Sequence, residues 1–98
     1  MTITKTQNGN ALTLAPEGRL DTMTAPELEK EIKDSIEGIA SLTFDLKGLE
    51  YISSAGLRVL LAAQKAMNAR GEMKVCNVNE TVAEIFEVTG FNDILNIV

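Results

Sequence analysis

This 98-residue chain predicts an α/β domain in which short strands alternate with helices. Three observations carry that expectation. Apolar residues recur at two-residue spacing in several short runs, and at three- and four-residue spacing in the segments between them. Gly, Asn and Pro fall at the joins. Strands separated by helices imply parallel neighbours with right-handed crossovers, and the alternation within strands places the helices mainly on one face.

Residues 2–7 and 11–15 form two strands around Asn8-Gly9-Asn10, since Asn-Gly tolerates the positive φ of a tight hairpin. Residues 16–22 form the connector to a helix that begins at Thr24. There Thr24-Ala25-Pro26-Glu27 fits a capping box, and Met23 and Leu28 are placed to staple across it. Leu28, Ile32 and Ile36 line one helical face, and Gly38 stops it. Residues 41–46 alternate Leu42, Phe44 and Leu46 with polar neighbours, as a strand buried on one side. The chain then turns through Ser53 and Ser54 into a helix running to about residue 70, apolar at Leu57, Leu60, Leu61 and Met67. Residues 73–78 read as a further strand. Asn79 caps a third helix carrying Val82, Ile85 and Phe86, Gly90 ends it, and residues 91–98 close the chain as a short strand.

The chain has room for one domain, spanning residues 1–98. No apolar run reaches membrane-spanning length and no export-like N-terminus is present, so a cytoplasmic protein is expected, without membrane partners. The lone Cys76 forms no internal disulfide, which fits a reducing compartment. A net charge of −5 argues against nucleic acid and favours a basic partner. With no histidine in the chain, His-based triads and metal sites are excluded. Phosphate-binding glycine motifs are absent and no carboxylate pair stands out for acid–base work, so a binding module is expected rather than an enzyme, with no cofactor. A monomer is the default.

The stretch with the most chemical content is Tyr51-Ile52-Ser53-Ser54-Ala55-Gly56-Leu57-Arg58. Small side chains at a helix start leave the orphan N–H groups open to an approaching partner or anion, and a serine there is either an N-cap or an acceptor of reversible negative charge. Asp21 and Thr22, in Gly18-Arg19-Leu20-Asp21-Thr22, fall at a second strand-to-helix junction, where sites form in open α/β sheets. Asp21 either meets a basic partner group or holds its own loop by an Asx hydrogen bond. Arg58 is a partner contact, an ion-pair partner of Glu50 or Asp21, or a solvated side chain.

Those two segments, about thirty residues apart, resemble the signature segments of the STAS domain, and in particular the bacterial anti-sigma factor antagonists. The resemblance covers essentially the whole chain. It implies a single STAS-like domain with a mixed four- to five-stranded sheet. It implies phosphorylation at Ser54, by a partner that is both anti-sigma factor and serine kinase, with reversal by a serine phosphatase. The implied binding face comprises Asp21, Thr22, Ser53, Ser54, Ala55, Gly56, Leu57 and Arg58. Where the family's pattern is Asp-Ser-[Ser/Thr]-Gly, this chain has Ser53-Ser54-Ala55-Gly56, which leaves Ser53 as an alternative acceptor. Two other readings keep the fold: partner switching on a non-transcriptional target, and a small-ligand sensor.

Overall fold

Asn8-Gly9-Asn10 turns the chain as its sequence demands, with Gly9 at φ 64°, and joins β1 (Thr2–Asn8) antiparallel to β2 (Ala11–Leu20). The computed structural model describes residues 1–98. At ten residues, β2 is long enough to hold two parallel neighbours end to end. Its first half pairs with β3 (Ser41–Asp45), matching Leu12 to Leu42 and Leu14 to Phe44. Its second half pairs with β4 (Leu49–Ile52), matching Leu20 to Ile52. The changeover falls at Gly18, where the register shifts, φ is 96° and the N–H donates to the Gly48 carbonyl at 2.9 Å. Only glycine occupies that backbone conformation without strain. Beside β3 lies β5 (Glu72–Cys76), also parallel, so the main sheet runs β1-β2-β3-β5 with β4 flanking the end of β2.

Helix α1 (Ala25–Ser35) connects β2 to β3, and α2 (Ser54–Asn68) connects β4 to β5. Helix α3 (Glu80–Thr89) follows β5 and packs against β4. Leu28 and Ile32 from α1, Leu60 and Met67 from α2, and Val82 and Phe86 from α3 join Leu14, Phe44 and Val75 of the strands in one buried cluster. Burying each such side chain contributes roughly 1.5–3 kcal/mol before chain entropy is set against it. The alternate strand positions, Thr13, Ser41, Thr43 and Lys74, are only half-buried. That asymmetry is the one-sided helical layer that the strand alternation predicts, and the antiparallel and parallel pairs make the mixed sheet that the resemblance implies.

Three elements differ from the expectation. Most of the 16–22 connector is strand, because Gly18 lets β2 change partner instead of ending. Leu49–Ile52 is a strand that its sequence conceals: both ends are buried, which breaks two-residue alternation over so short a run. The tail forms a 3₁₀ turn at Phe91–Asp93, and Ile97 then bridges to Val75 alone.

Asn79 ties α3 to the sheet. Its side-chain oxygen accepts from the Val82 N–H at 2.9 Å, capping the helix, while its amide nitrogen donates to the Leu49 carbonyl at 2.7 Å. Asn79→Ala loses both bonds and is expected to lower stability by about 1–2 kcal/mol. Asn79→Asp keeps the cap acceptor and should lose measurably less. Urea unfolding midpoints of the two variants check the order.

Candidate functional site

The pairing of Leu20 with Ile52 brings two loops together where both strands end. One is the Asp21–Thr24 turn and the other is Ser53-Ser54, joined by a hydrogen bond from the Ser53 N–H to the Leu20 carbonyl at 2.9 Å. The two segments that stood out in the sequence thus form one edge of the molecule.

In the first loop, Asp21 is the organiser. Its Oδ1 accepts from the N–H groups of Met23 at 3.0 Å and Thr24 at 3.2 Å, and its carbonyl accepts from the Ala25 N–H at 2.8 Å. This is N-cap geometry one turn ahead of α1. The expected Thr24 capping box does not form. Thr24 is already helical at φ −101° and ψ −21°, and its hydroxyl instead accepts from the Asp21 N–H and donates to the Arg19 carbonyl at 2.7 Å. Nor does the staple form: Met23 is 83% exposed, so it cannot pack on buried Leu28. The Asx bond is therefore real, and it uses Oδ1, while Oδ2 makes no hydrogen bond within the protein. Desolvation pushes the Asp21 carboxyl up. The Thr24 and Met23 N–H groups, the Thr24 hydroxyl and the Arg19 charge outweigh it and hold the pKa below the ordinary aspartate value. Arg19 itself lies over the Tyr51 ring, its guanidinium carbon 4.4 Å from the centroid.

In the second loop the two serines have opposite fates. Ser54 is exposed at the first position of α2. The Ser53 hydroxyl is buried with no hydrogen-bond partner, and although Ser53 sits at the N-cap in extended conformation its side chain makes no cap bond. Ala55 is half-buried, and Gly56 and Leu57 are buried, so these last two support the surface from beneath. A Cβ on Gly56 would lie 2.7 Å from Ile52 Cγ1 and from Leu20 Cγ, so glycine is what lets α2 start this close to the ends of β2 and β4. Thr22 and Arg58 are exposed, and Arg58 pairs with neither Glu50 nor Asp21. Met23, exposed on this edge, is the residue that sequence reasoning did not place there; its spacing to Leu28 across the helix start pointed to a staple.

The charge is segregated along the chain. Residues 51–71 contain Arg58, Lys65 and Arg70 and no acidic side chain, whereas residues 75–98 contain Glu80, Glu84, Glu87 and Asp93 and no basic one. Elsewhere, a shallow groove of about 330 Å³ between α1 and α2 is lined by Ile32, Ile36, Val59, Ala62, Ala63 and Ala66, and its rim charges, Glu29 and Lys33, pair with each other at 3.1 Å. No three Cys, Asp or Glu side chains converge as a metal ion requires. Burial and the Asp45 carboxylate push the Cys76 thiol up, away from reactivity. No helix is long and apolar enough to cross a membrane.

The serine turn at the start of α2 is joined through the Leu20 carbonyl to the Gly-x-Leu-Asp turn, the two segments that carry the resemblance, and the STAS domain family profile matches residues 2–98. The chain belongs to the STAS domain family. It is 39% identical over 77 residues to BtrV of Bordetella bronchiseptica, assigned as an anti-sigma factor antagonist; the match covers 76% of this chain and 66% of that relative. It is 32% identical over 92 residues to the anti-sigma-B factor antagonist of Bacillus subtilis, covering 93% of this chain and 84% of the relative. Among solved structures, an anti-sigma factor antagonist from Mycobacterium paratuberculosis superposes with a TM-score of 0.89 at 22% identity, covering 98% of this STAS chain and 83% of the other. The Bacillus cell fate determinant SpoIIAA in its phosphorylated form superposes with a TM-score of 0.77 at 15% identity, covering 99% and 91%.

The depressed Asp21 pKa has a pH signature with a definite sign. A carboxyl whose folded pKa lies below its unfolded value of about 3.9 stabilises the fold fully above that value. The contribution is lost as pH falls through the lower, folded pKa. In denaturant titrations across the acid range, Asp21→Asn should therefore show a shallower loss of stability below about pH 4 than the wild type. Parallel curves would show that the carboxylate gains nothing from its turn.

Proposed function

We propose that this STAS domain is an anti-sigma factor antagonist whose switch is Ser54. In the unmodified state the edge formed by Asp21, Thr22, Ser53, Ser54, Ala55 and Arg58, with Met23 beside it and Gly56 and Leu57 beneath, binds an anti-sigma factor and so releases a sigma factor. That partner is also a serine kinase. It transfers the γ-phosphoryl of ATP to Ser54 Oγ, with the hydroxyl proton leaving to a kinase base and ADP departing. A separate phosphatase restores the hydroxyl. The domain performs no chemistry itself and works as a monomer in the cytoplasm.

The observation that carries this reading is the contrast between the two serines. Ser54 Oγ is open to a kinase at the mouth of α2, and Ser53 Oγ is sealed. Asp21 serves the same edge from the other loop, with one carboxylate oxygen fixing its turn and Oδ2 left for a basic group on the partner. The names of the relatives, and SpoIIAA solved in phosphorylated form, support the same reading.

The energetics are sufficient. Phosphate adds roughly −1.5 to −2 charge and three acceptor oxygens on a surface built of small side chains, at a helix end whose dipole tolerates anions. Each 1.4 kcal/mol of lost complementarity weakens binding tenfold. Because the hydroxyl lies outside the core, the fold has no reason to change.

Incubation with the candidate kinase and ATP, followed by intact-mass and peptide mass spectrometry, should find one phosphate on the wild type and none on Ser54→Ala. The same modification on both proteins would move the acceptor elsewhere. Ser54→Asp should stay folded yet bind the partner at least about tenfold more weakly.

A further inference from the structure

We propose that Arg58 is a built-in clamp for the phosphorylated site: once Ser54 carries phosphate, the Arg58 guanidinium closes on it across one turn of α2. The inference rests on Ser54 as the acceptor and adds what the modification does locally.

Spacing comes first. Ser54 and Arg58 are four residues apart on α2 and both are exposed. Residues at that spacing have Cβ atoms about 5–6 Å apart, with the anion N-terminal to the cation in the favourable order. A phosphoserine and an arginine span that gap easily. The planar guanidinium fork matches two phosphate oxygens at once, which a lysine ammonium does not.

Arg58 is also uncommitted. It takes part in none of the protein's four ion pairs. No acidic group of the neighbouring elements lies within ion-pair distance of it: Glu29 and Asp34 of α1 pair with Lys33 and Lys30, and Asp21, although its Oδ2 is free, makes no pair with Arg58. Glu50 on β4 lies beyond ion-pair distance of Arg58. Helix α2 offers no acidic side chain to compete. Nor does another cation replace Arg58. Arg19 lies on the Tyr51 ring, and Lys65 is eleven residues along the helix from Ser54, about 16 Å at 1.5 Å per residue.

The consequence is a switch with two effects. Phosphorylation places an anion at the edge and, through the clamp, withdraws the one free arginine that the unmodified edge presents. A partner group that met Arg58 before the modification loses it afterwards, even if it never touches Ser54.

The test does not depend on any kinase. Phosphoserine is installed at position 54 during translation, in the wild-type chain and in Arg58→Gln, and the second phosphate ionisation is followed by ³¹P NMR. The ordinary value is about 6. The wild type should titrate about half a unit or more below Arg58→Gln, because a nearby cation favours the dianion. That gap should close in about 1 M salt, where the screening length is about 3 Å. Lys65→Gln should titrate like the wild type. Equal values for wild type and Arg58→Gln overturn the clamp. Failure of Ser54 phosphorylation is read separately, as an unmodified wild-type mass after kinase treatment.

Discussion

Everything at the functional edge depends on β2 having two parallel neighbours in succession. If β2 stayed with β3 along its whole length, Leu20 would have no Ile52 beside it, and the Asp21 turn and the serine turn would lie on separate parts of the surface. The changeover at Gly18 prevents that, and the bond from the Ser53 N–H to the Leu20 carbonyl at 2.9 Å fixes the result. Gly56 then allows α2 to begin directly on the two strand ends. A backbone constraint at one position and a steric constraint at another together place a hydroxyl and a carboxylate on one edge.

That arrangement separates the proposed site of modification from the part of the molecule that holds it up. Beneath the edge, Leu20, Ile52, Leu57 and Leu60 are buried members of the single core. Above it stand mostly small or polar side chains, among them exposed Thr22, Ser54 and Arg58, with Met23 the one large apolar side chain in solvent on this edge. On the proposed switch, a phosphate there would alter charge and hydration at the cost of no core contact, which keeps regulation and stability nearly independent. The charge segregation sharpens the contrast: α2 is locally basic within an acidic protein, and an anion added at Ser54, as proposed, would change the sign of its exposed N-terminal turn.

Much of this was legible in the sequence, and the exceptions share a cause. The hairpin at Asn8-Gly9, the Asn79 cap and the buried faces of all three helices follow from local chemistry and periodicity, which act within a few residues. The Ser54 hydroxyl and the Asp21 turn were found by their position at strand-to-helix junctions and by family resemblance. What stayed hidden depends on long-range pairing. Strand β4 has four residues and exists because β2 offers it an edge. The Thr24 hydroxyl is drawn from the capping box by the Asp21 N–H, from which it accepts, and that competition is settled in three dimensions. Met23 fits a staple by spacing alone, but the extra turn capped by Asp21 carries it into solvent. The burial of one serine and exposure of its neighbour likewise needed the fold.

The central claim is that a charge is added to a rigid surface. Its most direct measurement is a comparison of ¹H–¹⁵N correlation spectra of the protein with and without phosphate on Ser54. Shifts should concentrate at residues 20–24 and 53–59, with the amides of Phe44, Met67, Val75 and Phe86 unmoved. Widespread displacement of those core amides would mean that the modification refolds the domain, and would contradict it.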